Sequence, residues 1–421
     1  MLGQEQKLLE KLFYEAVNAA DPDTIVRQHI PQKPKGRTVV IGVGKAAANL
    51  AVAFEAHFSG PLSGVVVTPY GHGKKCKCIE VLEAAHPIPD LNGLKASRAI
   101  LSAVKNLTAS DLVVAFVCGG GSALLPSPPG DLSLKDEILL NEVLLSSGIP
   151  ISTMNLIRKN VSSVKGGRLA LASYPAKVIT FVLSDVPGDD LYQVASGPTV
   201  PDNSNWKDAL TEIDLNNINL PDNIINYIKE PADKCPDPSD PMFKDNEVHL
   251  IGSSNQSLKA ASDLLKRKGL KGYILSDCIE GEAKEVGKVH AGLVKQILKY
   301  NHPFQKPVVL LSGGETSVKI SESSGRGGRN SEFLLSMLLN LPEKQNYWAL
   351  AADTDGIDGS EKNAGAFGDQ YTLKKLRNEG LDPKKFLADH DSYSAFEKAK
   401  TLFFTGPTGT NVNDFRAVFI S

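Results

Sequence analysis

Side chains able to do chemistry cluster in glycine-broken segments of this chain. The first, Ile41-Gly42-Val43-Gly44-Lys45-Ala46-Ala47, follows an apolar run and opens a helical pattern. Backbone N–H groups near Gly44 and the positive end of the following helix can approach an anion, and Lys45 adds a full charge. The segment is no Walker A loop, which needs Gly at Val39 and Ser or Thr at Ala46. It passes as a G-x-G-x-x-A dinucleotide turn, yet the next apolar run ends Val67-Thr68-Pro69, without an acid for a ribose hydroxyl.

The second segment is Cys118-Gly119-Gly120-Gly121-Ser122-Ala123-Leu124-Leu125. Gly119, Gly120 and Gly121 allow a phosphate to lie against the backbone, since any Cβ would hold it off. Leu124 stands where a nucleophile elbow requires glycine, so Ser122 reads as a hydrogen-bond donor and not a nucleophile. Third, Asp185, Asp189 and Asp190 in Ser184-Asp185-Val186-Pro187-Gly188-Asp189-Asp190 follow an apolar run, at the sheet edge where open α/β folds bind ligands. Any one of these acids could equally be a cap or turn former. The turn at Ala195-Ser196-Gly197-Pro198-Thr199 adds Ser196 and further backbone donors.

In the second half, Leu311-Ser312-Gly313-Gly314-Glu315-Thr316 repeats the strand-then-glycine design, and Gly325-Arg326-Gly327-Gly328-Arg329-Asn330 follows it. Arginine carried on glycines suits bidentate clamping of phosphate oxygens. Of the two, Arg329 adjoins the expected helix start at Asn330 and is the better ordered. Ala351-Ala352-Asp353-Thr354-Asp355-Gly356-Ile357-Asp358-Gly359 fails the EF-hand pattern at Ile357, Asp358 and Ala364. Mg²⁺ asks for only one or two carboxylates beside phosphate oxygens and water, which makes Asp353, Asp355 and the earlier Asp189 candidate metal ligands. Near the C-terminus, Thr408, Asn411 and Asn413 in a dense polar turn suit a small hydroxylated ligand. Among histidines, His72 and His86 stand in loops where a site role is plausible. Together these residues describe phosphoryl transfer, in which cations and Mg²⁺ position and neutralise charge and no covalent nucleophile is needed.

These segments need a scaffold, and composition bounds it. The 421 residues carry 46 Lys+Arg against 48 Asp+Glu, with 42% hydrophobic and 22% charged residues, a globular profile that excludes disorder. The length suggests two or three domains of about 150 residues. A net charge of −2 gives no general attraction for nucleic acid or anionic membranes. Five scattered cysteines, Cys76, Cys78, Cys118, Cys235 and Cys278, make no disulfide framework and point to a reducing, cytoplasmic setting. Residues 1–20 read as an amphipathic helix instead of a signal peptide, able to pack on its own domain or a partner subunit, in a monomer or a homodimer. No run of eighteen apolar residues exists to span a membrane.

From Arg37 onward apolar runs alternate with helical patterns: 38–43, 64–68, 112–118, 178–184, 249–252, 272–275, 308–312 and 348–352. Runs apolar on both faces suit parallel strands covered on each side, so the class is α/β. Helices are expected to begin near Lys45, Asp90, Asn255 and Asn330. The stretch from Glu230 to Pro241 holds four prolines and three aspartates and reads as a linker. Two domains follow, 1–235 (Rossmann-like) and 245–421, each expected to hold a largely parallel sheet flanked by helices, with a cleft between them.

The order of G-V-G-K-A-A, H-P-I-P-D at 86–90, G-G-G-S-A-L-L, S-D-V-P-G-D-D, S-G-P-T, L-S-G-G-E-T, G-R-G-G-R-N, D-T-D-G-I-D-G and G-P-T-G-T-N-V-N-D resembles the MOFRL-type glycerate 2-kinases over nearly the whole chain. The resemblance implies an ATP- and Mg²⁺-dependent transfer to the 2-hydroxyl of D-glycerate. It also implies key roles for Lys45 and Arg329 and a cleft site between two α/β domains, with the MOFRL-like part in the C-terminal half. Asp185 or Asp189 is the candidate to orient the hydroxyl and take its proton. Two other classes compete with this reading: a nicotinamide-dependent hydroxy-acid oxidoreductase and a non-catalytic metabolite sensor.

Overall fold

The computed structural model describes residues 3–186, 188–230, 235–319 and 325–421. They fall into two compact units, one of Pro22–Ile251 and one of Met1–Asp21 with Gly252–Ser421.

The first unit is built on a six-stranded sheet of order β3-β2-β1-β4-β5-β6. Its strands are β1 (Thr38–Val43), β2 (Leu62–Pro69), β3 (Ile79–Ala84), β4 (Leu112–Cys118), β5 (Lys177–Leu183) and β6 (Glu247–Gly252). β1 pairs in parallel with β2 and β4, β2 with β3, and β4 with β5. All residues of β1 and β4 are buried, as parallel strands covered by helices on both faces require. Because β1 lies beside β4 and β4 beside β5, the turns leaving these three strands become neighbours at one edge. The expected helix near Lys45 runs Ala47–His57, and the one near Asp90 runs Leu91–Ala103, with the Asp90 carboxylate accepting from the Gly93 amide.

The second unit differs from expectation. Its sheet has the order β11-β10-β9-β12-β8-β7, from β7 (Lys271–Glu282), β8 (Val308–Ser317), β9 (Tyr347–Asp353), β10 (Gly365–Asp369), β11 (Leu402–Phe403) and β12 (Asp414–Ile420). Only β7 and β8 pair in parallel. The last strand, β12, inserts antiparallel between β8 and β9, and β9–β10 and β10–β11 are antiparallel as well. The expectation of a second largely parallel sheet is therefore corrected: burial on both faces, which the apolar runs reported, does not fix strand direction.

The domain limits shift for a similar reason. The helix Gln4–Ala19 packs Leu9, Leu12, Phe13 and Ala16 against Val309, Leu311, Phe403 and Phe415 of the second sheet. Phe13 meets Phe403 and Phe415 edge-on at 5.1 and 5.8 Å. The apolar stripe at i, i+3, i+4 and i+7 thus covers the face of a sheet that begins some 250 residues later, so residues 3–21 belong with the C-terminal unit and not within 1–235. The boundary near 235 also moves, because β6 adds to the edge of the first sheet beside β5. Residues 231–234 of the proline-rich stretch lie outside the described residues.

Candidate active site

In the first unit, the site grows from the three neighbouring turns. The Lys45 amide donates to the Gly119 carbonyl at 3.0 Å, and the Thr68 hydroxyl donates to the Lys45 carbonyl at 3.3 Å. The turn after β1 is thereby tied to the ends of β4 and β2. Gly44 has φ +118°, and a Cβ there would lie 2.4 Å from the Cys118 carbonyl oxygen, so glycine is required.

Each glycine of the 119–121 triplet makes room for a different neighbour. A Cβ on Gly119 would fall 1.7 Å from Oδ2 of Asp185, one on Gly120 3.0 Å from Nε2 of His86 and 3.4 Å from Cγ of Lys45, and one on Gly121 2.5 Å from Cβ of Ala195. The triplet therefore gathers Lys45, His86 and Asp185 over one short stretch of backbone. Burial, with the nearby charges of Lys45 and His72, lowers the His86 pKa to about 4, so its imidazole is neutral near pH 7. Asp189 lies four residues past Asp185 at φ +57°. Pro187 between them is outside the described residues.

Ser196 sits in a turn where Ala195, Ser196 and Gly197 all have positive φ, two of them non-glycine residues in a sparsely populated region. Its hydroxyl lies 2.8 Å from that of Ser122 and donates to Oδ1 of Asn155 at 2.9 Å. The structure thus brings Lys45, Gly44, Gly119, Gly120, Gly121, Ser122, Asp185 and Ser196 to one edge. His86, one of the two loop histidines singled out in the sequence, forms a wall of this edge, and Asn155 joins it as a member no motif announced.

In the second unit, Arg329 is the first residue of the helix Arg329–Leu339. Asp358 caps that helix from another loop, accepting from the Asn330 and Ser331 amides at 2.9 and 2.8 Å, and so sets the arginine in place. The guanidinium then donates to three carboxylates: Nε to Asp414 at 2.7 Å, one terminal nitrogen to Asp353 at 2.8 Å, and the other to Glu315 at 2.9 Å. Asp414 is fully buried and also receives Asn330, the Thr316 amide and hydroxyl, and Arg416. Arg416 is itself buried, bonds the Gly313 carbonyl at 3.0 Å and lies 4.8 Å over the Phe333 ring.

Burial opposes the charge on Arg329, but Asp414, Asp353 and Glu315 outweigh it and hold its pKa well above the ordinary value. Burial raises the Asp414 pKa, but Arg329, Arg416 and the Thr316 amide together lower it further, below its ordinary value. Asp353 moves the other way: burial, together with Asp355 and Asp414, lifts its pKa despite Arg329. Gly314, at φ +113°, leaves no room for a side chain beside the Ile279 carbonyl.

Other expected ligand groups hold the protein's own loops. The Thr408 hydroxyl donates to the Thr354 carbonyl at 2.6 Å, Asn411 Oδ1 accepts the Asn413 amide at 2.9 Å, and the Asn413 carbonyl accepts both the amide and the hydroxyl of Thr354. Asp355 closes a turn by accepting the Ile357 amide at 2.8 Å.

The candidate magnesium ligands fall in both units. Oδ2 of Asp353 takes Arg329 and Oδ1 takes the Asp355 amide, while Asp189 belongs to the other unit. Among the described residues no group of three or more His, Cys, Asp or Glu side chains is placed to hold a metal. No helix among them is long and apolar enough to cross a membrane.

Residues 8–229 match a domain of unknown function, DUF4147, and residues 308–414 match the MOFRL family. A protein of Agrobacterium vitis, provisionally named a hydroxypyruvate reductase, is 44% identical over 99% of this chain and 94% of its own. The D-glycerate 2-kinase of Thermotoga maritima is 38% identical over 97% of both chains. The crystal structure of a Thermotoga maritima glycerate kinase superposes with a TM-score of 0.89 at 37% identity, covering 99% of each chain. The chain belongs to the glycerate kinase family, and within it the DUF4147 match precedes the MOFRL match.

Proposed function

We propose that this protein phosphorylates D-glycerate on its 2-hydroxyl with ATP, giving 2-phosphoglycerate and ADP. The observation that carries the reading is the convergence of Lys45, His86 and Asp185 on Gly119 and Gly120, in a chain of the glycerate kinase family. Lys45 neutralises an anionic group of the substrate or the migrating phosphoryl group. Asp185 accepts the proton of the 2-hydroxyl as its oxygen bonds the γ-phosphorus and the bond to the β-phosphate oxygen breaks. Neutral His86 walls the site without adding a competing charge.

Arg329, in the second unit, binds an anion through an exchange of partners. Its contact with Glu315, whose side chain is 47% exposed, is the weak one of its three, worth about 0–1 kcal/mol, and an arriving anion can displace it. Asp353 and Asp414 are buried and keep the fork aimed. A divalent cation accompanying the nucleotide takes most of its ligands from phosphate oxygens and water, and Asp353 is withdrawn as one of its ligands.

The name of the Agrobacterium relative favours a second reading, a hydroxy-acid reductase. Against it, β2 ends at Thr68 and Pro69, and the Thr68 hydroxyl is spent on the Lys45 carbonyl instead of an acid meeting a ribose. Purified protein given ATP, Mg²⁺ and D-glycerate tests both readings, with enolase converting the product to phosphoenolpyruvate in the absence of a phosphoglycerate mutase. Direct enolase signal is expected. A signal that needs the mutase moves transfer to the 3-hydroxyl. NADH oxidation with hydroxypyruvate and no ADP formation replaces the kinase by the reductase, and binding without turnover replaces it by a sensor.

A further inference from the structure

The hydrogen bonds behind Ser122 fix which way its proton points. The Asn155 side chain donates from Nδ2 to the Gln193 backbone carbonyl and to Gln193 Oε1, both at 3.1 Å. A backbone carbonyl only accepts, so this end of the amide is the NH₂ group. Its other end, Oδ1, faces the Ser196 hydroxyl at 2.9 Å and the Arg158 guanidinium at 3.4 Å, which again marks it as the acceptor. Ser196 must therefore give its single proton to Asn155. The 2.8 Å contact between Ser196 and Ser122 then has one possible donor, Ser122.

The relay is rigid. Ser196 is 0% and Asn155 2% exposed, Arg158 is buried and donates from Nε to Asn141 at 2.8 Å, and the Ser196 backbone is held at φ +60°. Ser122 is half-buried, two residues from the glycine on which Lys45 and His86 lie. With its proton committed to Ser196, its oxygen offers lone pairs only. Phosphate and carboxylate oxygens carry no proton near pH 7 and cannot bond it, whereas a hydroxyl can.

We infer that Ser122 is a hydrogen-bond acceptor that reads a hydroxyl of the phosphoryl acceptor, and that it is not a phosphate-binding serine of the nucleotide site. This reverses the donor role that the glycine triplet suggests for it. The inference rests on the kinase reading and adds the substrate hydroxyl that its site recognises, the one not phosphorylated.

Steady-state kinetics with D-glycerate and calorimetric titration with ADP test it on Ser122→Ala and Ser122→Thr. Ser122→Ala is expected to lower kcat/KM for D-glycerate about tenfold, chiefly through KM, with the ADP dissociation constant within about twofold of the parent. Ser122→Thr keeps an acceptor oxygen and is expected to recover most of the loss in KM, whereas a purely structural role of Ser122 would move kcat and ADP binding along with KM in Ser122→Ala. Weaker ADP binding with an unchanged KM for D-glycerate overturns the inference by putting Ser122 on the nucleotide. Unchanged kinetics in Ser122→Ala overturn it too, while leaving the kinase reading in place. A parent protein that shows no turnover of D-glycerate removes the kinase reading itself, and the acceptor named here with it.

Discussion

Asp414 and Glu315 grip the same guanidinium at nearly the same distance, 2.7 and 2.9 Å, and differ in burial: 0% against 47% side-chain exposure. Their replacement should therefore separate sharply. Asp414→Asn preserves shape but removes the charge facing both Arg329 and Arg416, and leaves Arg416, 1% exposed, without its carboxylate hydrogen bond and with the neutral Gly313 carbonyl and Thr316 hydroxyl as acceptors. Breaking a buried pair by deleting one partner costs about 3–5 kcal/mol, because the remaining charge stays desolvated. Glu315→Gln removes a solvent-screened contact worth about 0–1 kcal/mol. At 2–4 °C per kcal/mol for a unit of this size, Asp414→Asn should lower the melting midpoint by roughly 6–20 °C and Glu315→Gln by only a few degrees. The chain has two tryptophans, and Trp348 lies in β9 of the same sheet, so a Trp206→Phe background makes fluorescence report this unit alone. Equal losses in the two variants during urea or thermal unfolding would refute the claim that burial, and not ion-pair geometry, sets the energetics of this cluster.

Lys45→Ala should reduce kcat/KM with D-glycerate roughly 10²–10³-fold at an unchanged melting midpoint, and turnover within a few-fold of the parent would remove Lys45 from the chemistry. Gly119→Ala places a methyl group 1.7 Å from Oδ2 of Asp185, so the carboxylate must move; a loss of about a hundredfold or more in turnover is expected from a folded protein, read with circular dichroism as control. Stability should fall on acidification through His290. Its Nδ1 faces the Val286 carbonyl and its Nε2 the Ser312 hydroxyl, and burial first, with Arg416 adding to it, lowers its pKa to about 4. With the native pKa below the unfolded value near 6.5, the unfolded chain binds more protons. The contribution is complete above about pH 6.5 and lost progressively as pH drops toward 4, by up to about 3 kcal/mol. His290→Gln should flatten the fall in melting midpoint across that window, and an equally steep profile in the variant would discount this residue.

Much of the first sheet was legible because its strands are buried on both faces and leave no polar interruption. Thr38–Val43 and Leu112–Cys118 match β1 and β4 residue for residue. The strands that escaped reading break that pattern for identifiable reasons. β3, Ile-Glu-Val-Leu-Glu-Ala, is an edge strand with charged residues, and β10, Gly-Ala-Phe-Gly-Asp, is too rich in glycine to carry a strand signal. β12 carries Asp414 and Arg416 inside a strand that is otherwise apolar. Those two residues hid the strand, and they are also the ones that organise Arg329. One missed feature concealed both the antiparallel character of the second sheet and the floor of its charged cluster.

Sequence could mark the turns after β1, β4 and β5 as separate candidates, but their union depends on strand order, which the apolar runs do not specify. Once β1 lies beside β4 and β4 beside β5, Lys45 and Asp185 must both lean on Gly119 and Gly120, and the triplet is needed to admit them. The same dependence explains why Arg329 looked like an open anion clamp. A lone arginine among glycines carries no sign of its counter-ions, because these come from the end of β8, the end of β9 and the start of β12, some 14, 24 and 85 residues away. Three carboxylates around one guanidinium change the physical question from attraction to exchange: an incoming anion gains only what it binds beyond the partner it displaces. Glu315, the exposed partner, is the one that exchange costs least to release, while Asp353 and Asp414, buried and cross-linked to Asp355, Asn330 and Arg416, hold the fork in a fixed direction throughout.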